Sequence, residues 1–274
     1  MATPLTEERV DSPVGKLQVL RGGSGPPLVY LHSAMGEVSV GMLVLEDLAD
    51  GLAVTAPVFP GFGESEGIEH VDDIEDAAFL VLDLLDQLGV ERPALVGLSL
   101  GAWMAAEVAT RWPQRLSAVV LINPVGLYLP DAPIPDMFGK PPNELAAMVF
   151  ADQSHPVALM MQALAERYDD PAAMADIPME VLVPLVKSTG ATAKIGWDPY
   201  LHNPKLGRRL HRITVPTLVV HGAADAFVPR AHSEAFAAAI PGARLVDLEG
   251  AGHLAPLEKP AEVAALVRAF LDSV

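Results

Sequence analysis

One serine lies in a glycine-flanked stretch of apolar residues, Leu95-Val96-Gly97-Leu98-Ser99-Leu100-Gly101. The residues before it suit the end of a buried strand, and those after it are good helix formers. Gly97 and Gly101 each lie two residues from Ser99, where a sharp strand-to-helix turn brings backbone segments too close together for a Cβ atom. We therefore predict that Ser99 is a nucleophile at the apex of this turn, with the Leu100 amide aimed at the developing oxyanion.

A serine nucleophile needs an imidazole to remove its proton and a carboxylate to orient that imidazole. Of the eight histidines, His253 follows the last predicted strand in a glycine-bracketed loop, and Asp225 lies just after the preceding strand. Loops that follow parallel strands meet at one edge of the sheet. We predict that His253 is the base and Asp225 its partner. The alternatives are a surface histidine and an aspartate that only caps a loop or helix.

An oxyanion hole needs a second donor besides Leu100. The loop His32-Ser33-Ala34 follows the third predicted strand, and it can offer the amide of Ala34. We expect His32 to brace this loop by hydrogen bonds rather than to act as an acid or base, and we also include it among the pocket residues. Asn123 follows the strand before a break in the pattern, where an acid could alternatively stand, but its amide cannot carry a negative charge.

The elements that must position these residues alternate along the chain between apolar strands and helices. Two short strands at the start predict a hairpin at the edge of a sheet. The later strands are apolar on both faces, which predicts a mostly parallel, doubly wound sheet of the α/β class. The predicted strands are 6–11, 15–21, 27–32, 52–56, 94–96, 116–122, 217–221 and 243–248, and the predicted helices are 38–50, 72–88, 100–112, 231–239 and 260–273.

This alternation breaks after residue 122 and resumes at residue 217. The intervening segment is helical in pattern, rich in proline and without a clear strand. We therefore predict an α/β core domain formed by residues 1–126 and 206–274, with a helical cap inserted at residues 127–205.

Six of the ten methionines fall in the predicted cap: Met137, Met148, Met160, Met161, Met174 and Met179. Methionine adapts to irregular apolar groups. We therefore expect Met160, Met161 and the nearby Trp197 to line a substrate pocket. The alternatives are that the methionines pack the core of the cap and that Trp197 packs at its hinge.

Composition excludes several classes of function. The 274 residues carry 35 acidic and 18 basic side chains, a net charge of −17 that repels nucleic acids and anionic membranes. The absence of cysteine removes disulfides, thiolate zinc sites and a cysteine nucleophile. The first ten residues lack the apolar core of a secretory signal, and no run of apolar residues is long enough to span a membrane. We expect a cytoplasmic protein; the sequence leaves its oligomeric state open, including a homo-oligomer.

The order Ser99, Asp225, His253, each after a strand, resembles the α/β-hydrolase superfamily. The similarity extends to the loop after residue 31, to residues 57–65 and to the residues around His253. It implies a serine hydrolase without a metal or cofactor that works through an acyl-enzyme. Serine at position 99 argues against haloalkane dehalogenases and epoxide hydrolases, because a resemblance to those enzymes would imply a carboxylate nucleophile at this position. Leu254 stands where carbon–carbon bond hydrolases usually carry an aromatic residue.

The sequence therefore favours a hydrolase of carboxylic esters whose substrate is a small or medium apolar molecule. Because one fold supports many reactions, alternatives on the same triad stay open. They are perhydrolase or lactonase activity, carbon–carbon bond cleavage and cofactor-free oxygenation. An alternative of another class is a receptor that binds a ligand without turnover.

Overall fold

A computed structural model describes residues 4–40, 42–168 and 175–274. Its strands form one eight-stranded sheet in the order β1-β2-β4-β3-β5-β6-β7-β8. The pairs β1–β2 and β2–β4 are antiparallel, and the other pairs are parallel. The strands are β1 Thr6–Ser12, β2 Gly15–Gly22, β3 Pro27–Leu31, β4 Ala53–Pro57, β5 Ala94–Leu98, β6 Ala118–Ile122, β7 Thr217–Gly222 and β8 Arg244–Leu248.

Burial along the strands follows from their place in the sheet. β1 at the edge is mostly exposed, which confirms the predicted edge hairpin, whereas every residue of β5, β6 and β7 is buried. Central parallel strands are covered on both faces, and this explains their continuous apolar sequences. The predicted mostly parallel α/β sheet is therefore confirmed.

Helices cover the sheet and connect its strands. They are α1 Leu43–Leu48, α2 Ile74–Gln87, α3 Leu100–Arg111, α4 Pro142–Val149, α5 Pro156–Tyr168, α6 Met179–Gly196, α7 Arg230–Ala239, α8 Ala255–Glu258 and α9 Pro260–Leu271. Short 3₁₀ turns lie at Glu37–Val40, Ile68–His70, Pro113–Arg115 and Gly207–Arg212. In the part of the chain that the structure describes, no helix is both long enough and apolar enough to cross a lipid bilayer.

Helix α2 shows how local sequence sets the ends of an element. Asp73 caps its first turn, where the carboxylate accepts hydrogen bonds from the amides of Glu75 at 2.7 Å and Asp76 at 3.1 Å. At the other end Gly89 adopts a φ of 61°, the left-handed conformation that commonly follows the last turn of a helix. The carboxylate of Asp73 and the left-handed conformation of Gly89 thus mark the two ends of α2.

The single helix predicted over 38–50 is wrong. The chain instead forms the 3₁₀ turn Glu37–Val40 and then the short helix α1, while Gly41 between them lies outside the described residues. The buried carboxylate of Glu37 binds back to Ser33, so this turn is shaped by the loop after β3 and not by helical periodicity.

Helices α4, α5 and α6, here called the inserted helices, lie between β6 and β7 in the chain. The segment leaves and returns at adjacent positions, because Gly126 donates a hydrogen bond to the carbonyl of Leu201 at 2.9 Å and accepts one from the Asn203 amide at 3.0 Å. This pairing supports a helical insertion into the sheet domain, although the boundaries predicted at residues 127 and 205 stay predictions.

Candidate active site

The turn that carries Ser99 joins β5 to α3. Ser99 itself has a φ of 54° and a ψ of −110°, a conformation that is strained for a residue with a side chain. A Cβ atom on Gly97 would lie 2.3 Å from the carbonyl oxygen of Gly101, and one on Gly101 would lie 2.1 Å from that of Leu31. Both glycines are therefore required by close backbone approach, and together they let the turn present Ser99 at the start of α3.

His253 and Asp225 meet at the carboxyl edge of the sheet. Nδ1 of His253 donates to Oδ2 of Asp225 across 2.8 Å, and both side chains are buried. The other carboxylate oxygen of Asp225 accepts the amides of Phe227 at 2.8 Å and Val228 at 2.9 Å. The carboxylate is thus fixed by its own loop, and it directs the Nε2 atom of His253 away from Asp225.

Ser99 and His253 line the same cavity. The described residues provide the Ser99 hydroxyl with no hydrogen-bond partner, so its proton is free for a base. The ring of Phe227 packs edge-on against the imidazole, with 4.9 Å between the ring centroids, and limits its rotation. In ligand-free enzymes the bond between nucleophile and base is often long and tightens when substrate binds.

The amides of Ala34 and Leu100 are the two candidate oxyanion donors. Both residues line the cavity, and neither backbone N–H has a hydrogen-bond partner among the residues that the structure describes. Leu100 is the first residue of α3, where amides point out of the helix and its dipole favours negative charge. These two amides are therefore available to an anionic oxygen next to Ser99.

His32 braces the loop that presents Ala34. Its Nδ1 atom donates to the carbonyl of Ser33 at 2.7 Å, and its Nε2 atom accepts the amide of Phe59 at 2.9 Å. Burial lowers the pKa of His32, against the opposing effects of the Glu37 charge and the Ser33 hydrogen bond. A neutral ring suits both bonds, since one nitrogen must donate and the other must accept.

Glu37 provides a second support for the same loop. Its buried carboxylate accepts hydrogen bonds from the Ser33 amide at 2.9 Å, from the Ser33 hydroxyl at 2.6 Å and from the Tyr30 hydroxyl at 3.4 Å. Burial raises the pKa of Tyr30 well above its usual value, and the neighbouring Glu37 charge adds to the effect. Sequence reasoning did not single out Glu37, because an acidic residue directly before a predicted helix gives no signal of burial.

Asn123 holds the loops of the base and its carboxylate together. Its side-chain nitrogen donates to the carbonyls of Gly252 at 3.1 Å and His253 at 2.8 Å, while its side-chain oxygen accepts the Gly222 amide at 2.7 Å. The residue is fully buried and has a φ of 44°. An amide can donate and accept at once, which a carboxylate cannot do, so asparagine suits this position.

The cavity beside Ser99 is narrow and mostly apolar. Its volume is about 30 Å³. The lining residues are Ser33, Ala34, Met35, Ser99, Leu100, Met137, Leu145, Val149, Leu201, Phe227, His253 and Leu254.

Four residues that the sequence placed in the pocket do not line this cavity. Met160 and Trp197 are 56% and 60% exposed, Met161 is buried in the hydrophobic core, and His32 lies behind the Ser33 loop. The structure corrects these assignments, because methionine clustering in sequence does not reveal which helix face is turned inward. Among the six methionines Met137 does line the cavity, and Met174 falls outside the described residues.

The described residues contain no group of three or more histidine, cysteine, aspartate or glutamate side chains placed to hold a metal ion. The profile of the alpha/beta hydrolase family matches residues 20–266. The chain belongs to the alpha/beta hydrolase family. The resemblance stated from the sequence is thereby confirmed.

The chain is 32% identical to polyketide synthase ThaQ of Burkholderia thailandensis over 98% of the chain's own length. It spans only 13% of that synthase and 65% of each of two further curated relatives.

Among solved structures, a membrane phospholipase A described as a bacterial virulence factor has a TM-score of 0.80 and 25% identity, with coverage of 98% of this chain and 86% of that one. A 2-hydroxy-6-oxo-6-phenylhexa-2,4-dienoate hydrolase from Rhodococcus has a TM-score of 0.77 and 24% identity, with coverage of 98% and 99%. At 24% identity, the likeness to the Rhodococcus enzyme shows only that the two chains share a fold.

Proposed function

We propose that this hydrolase cleaves carboxylic esters of small or medium apolar acyl groups through an acyl-enzyme on Ser99. The observation that carries the proposal is that Ser99, His253 and the free amides of Ala34 and Leu100 line one apolar cavity. His253 takes the proton of Ser99 as the hydroxyl attacks, and the two amides stabilise the tetrahedral oxyanion. His253 then returns the proton to the leaving alcohol, and water releases the acid by the same steps.

The apolar lining supports an acyl group without charge. Burying a carboxylate or an ammonium among Leu145, Val149 and Leu254 would cost several kcal/mol, about as much as the binding energy of a small ligand. Met35 and Met137 also line the cavity, and their flexible, unbranched side chains can adapt to acyl chains of different length. The likeness to a membrane phospholipase A, at 25% identity, adds support.

The test is a series of p-nitrophenyl esters from acetate to decanoate, assayed with the intact chain and with Ser99→Ala. We expect hydrolysis that rises with chain length and then falls, is lost in Ser99→Ala and is unchanged by EDTA. Ser188→Ala serves as the matched control, since this serine donates only to the Leu185 carbonyl of its own helix. Equal hydrolysis by the intact chain and Ser99→Ala would contradict the proposal.

A further inference from the structure

Glu258 binds two separate segments of the hydrolase with one carboxylate. It is the last residue of α8, and its Oε2 atom accepts the amide of Gly252 at 2.7 Å, directly before His253. Its Oε1 atom accepts the amides of Ala151 at 2.7 Å and Asp152 at 2.8 Å, directly after α4. A single side chain thus joins the loop of the proposed base to the first of the inserted helices.

The backbones of these two segments also touch directly. The amide of Leu254 donates to the carbonyl of Val149 at 3.0 Å, and a Cβ atom on Gly252 would lie 2.6 Å from the Ala151 nitrogen. Glycine is therefore needed at position 252 for the approach of α4. The same helix supplies Leu145 and Val149 to the cavity wall. The wall that meets the acyl group and the loop that carries the base form one hydrogen-bonded unit.

We propose that Glu258 is a positioning residue that couples α4 to His253, so that contact of the acyl chain with Leu145 and Val149 changes kcat as well as KM. This inference rests on the proposed ester hydrolysis. An acyl chain that presses on α4 moves the carbonyl of Val149 and the amides of Ala151 and Asp152. Through Glu258 the displacement reaches Gly252 and hence the imidazole. Leu145 and Val149 of α4 line this cavity, so an acyl chain bound in it contacts α4.

Glu258→Gln breaks the connection through this side chain with little change in volume and leaves the hydrogen bond between Leu254 and Val149 in place. A glutamine has one acceptor oxygen and an NH₂ group that only donates, so it cannot accept amides at both ends. Whichever way the side chain is turned, an N–H group faces either Gly252 or Ala151 and Asp152. The matched control is Glu262→Gln on α9, which removes the same charge. Among the residues that the structure describes, this 56% exposed carboxylate has one ion pair, with Lys259 at 3.6 Å.

The first readout is the split between kcat and KM across the ester series. In the intact chain and in Glu262→Gln, we expect kcat to vary with acyl length. In Glu258→Gln, we expect kcat to fall about 10- to 100-fold, as for a misplaced catalytic group, with KM changed no more than about twofold and with kcat less dependent on acyl length than in Glu262→Gln. Retention of kcat and of its length dependence in folded Glu258→Gln would overturn the inference, even if its thermal stability were lower.

The second readout does not depend on activity. We expect the proton on Nδ1 of His253, which bonds to Asp225 at 2.8 Å, to give a low-field NMR signal that can be assigned by its loss in Asp225→Ala. Coupling predicts that this signal shifts or broadens in Glu258→Gln but not in Glu262→Gln, and an unchanged signal contradicts it. If the intact chain hydrolyses no ester, the proposed function fails while the NMR result still decides the coupling. Should Glu258→Gln not fold, Glu258→Asp is used, since it keeps the charge but is one methylene too short to reach both segments.

Discussion

Two walls enclose the cavity of this alpha/beta hydrolase, and they are held in different ways. On the sheet side, the loops with Ala34, Ser99 and His253 are fixed by buried side chains that bind backbone groups and by glycines at points of close approach. Such contacts leave little freedom to move. This wall carries every group to which we assign a chemical step.

The opposite wall consists of apolar side chains from the inserted helices and the segment before them. Met137 is held through its amide, which donates to the Tyr200 hydroxyl at 2.9 Å, while that hydroxyl donates to the Pro135 carbonyl at 2.6 Å. Burial raises the pKa of Tyr200 to about 12, so the hydroxyl keeps its proton. Farther out, apolar side chains of α5 and α6 are exposed: Leu159, Met160, Met179 and Val186.

The difference between the walls separates chemistry from selectivity. Reacting groups must stay within a fraction of an ångström of their productive positions, which rigid backbone contacts ensure. Side chains that only fill space can be exchanged without moving those groups. Substitutions on the sheet side should therefore act on the chemical step, and substitutions on the other side should act on substrate preference.

The largest effect is expected for Asp225→Asn. Asparagine can hold the His253 ring in the wrong tautomer and cannot stabilise the imidazolium, so kcat should fall roughly 10²- to 10⁴-fold with the fold retained. Steady-state kinetics measures kcat, and circular dichroism measures whether the fold is retained. Asp247→Asn is the control, because this carboxylate binds Arg230 at 2.9 Å and does not contact the histidine. An equal fall in kcat in both variants would contradict the assignment of Asp225 as the partner of His253.

A smaller loss of activity is expected for Asn123→Ala. The change leaves the Gly222 amide and two carbonyls unpaired in a buried site, at a cost of about 1–3 kcal/mol for each group left unsatisfied. Because Asn123 does not touch the imidazole, the fall in kcat should stay below that of Asp225→Asn. Denaturant titration measures the loss of stability, and steady-state kinetics measures the fall in kcat. A reversed order of the two kcat values would mean that Asn123 supports the base more strongly than Asp225.

The role of the opposite wall is tested by Met137→Ala. Removal of this side chain enlarges the cavity, so the optimal acyl chain in the p-nitrophenyl series should become longer. Each added methylene that is buried should raise kcat/KM about fourfold. Met148→Ala is the matched control, since Met148 packs against the core without lining the cavity. If both variants keep the original optimum and only lose stability, Met137 does not set chain-length preference.

The smallest effect concerns pH and stability. Burial lowers the pKa of His232, against the opposing Ala132 hydrogen bond and Asp225 charge. Because the unfolded chain then binds the proton more readily, the free energy of unfolding should fall as pH drops below about 6.5, by up to about 1.4 kcal/mol per pH unit for each such histidine. His232→Gln keeps a donor for the Ala132 carbonyl and should reduce this slope in urea titrations. His211→Gln, which removes an exposed histidine, is the control, and an equal reduction in it would contradict the assignment.

Sequence reasoning located the sheet side well, because each of its features has a local cause. Continuous apolar runs mark buried strands, and Gly97 and Gly101 mark a turn around Ser99 that only glycine permits. The loops of Asp225 and His253 follow from strand order. In contrast, the roles of Asn123, Glu37 and Glu258 depend on contacts between distant segments, such as the 2.8 Å bond from Asn123 to the His253 carbonyl, and no local pattern predicts them.

The lining residues of the opposite wall were predicted poorly for a physical reason. An inserted helix can turn either face to the core, and α5 buries Met161 while it exposes Met160, its immediate neighbour. Composition alone does not distinguish the two. The helical character of the segment was predictable, but the identity of the lining residues required the packing of α4 against the loop of Leu254.

The most direct test of the central claim is mass-spectrometric mapping of the adduct formed with a fluorophosphonate. This reagent reacts rapidly only with a hydroxyl that is paired with a base and faces an oxyanion hole. We predict one adduct per chain, on Ser99, with no labelling of Ser99→Ala and much slower labelling of His253→Ala. An adduct on another residue, or labelling of Ser99→Ala at the rate of the intact chain, would show that Ser99 is not the nucleophile.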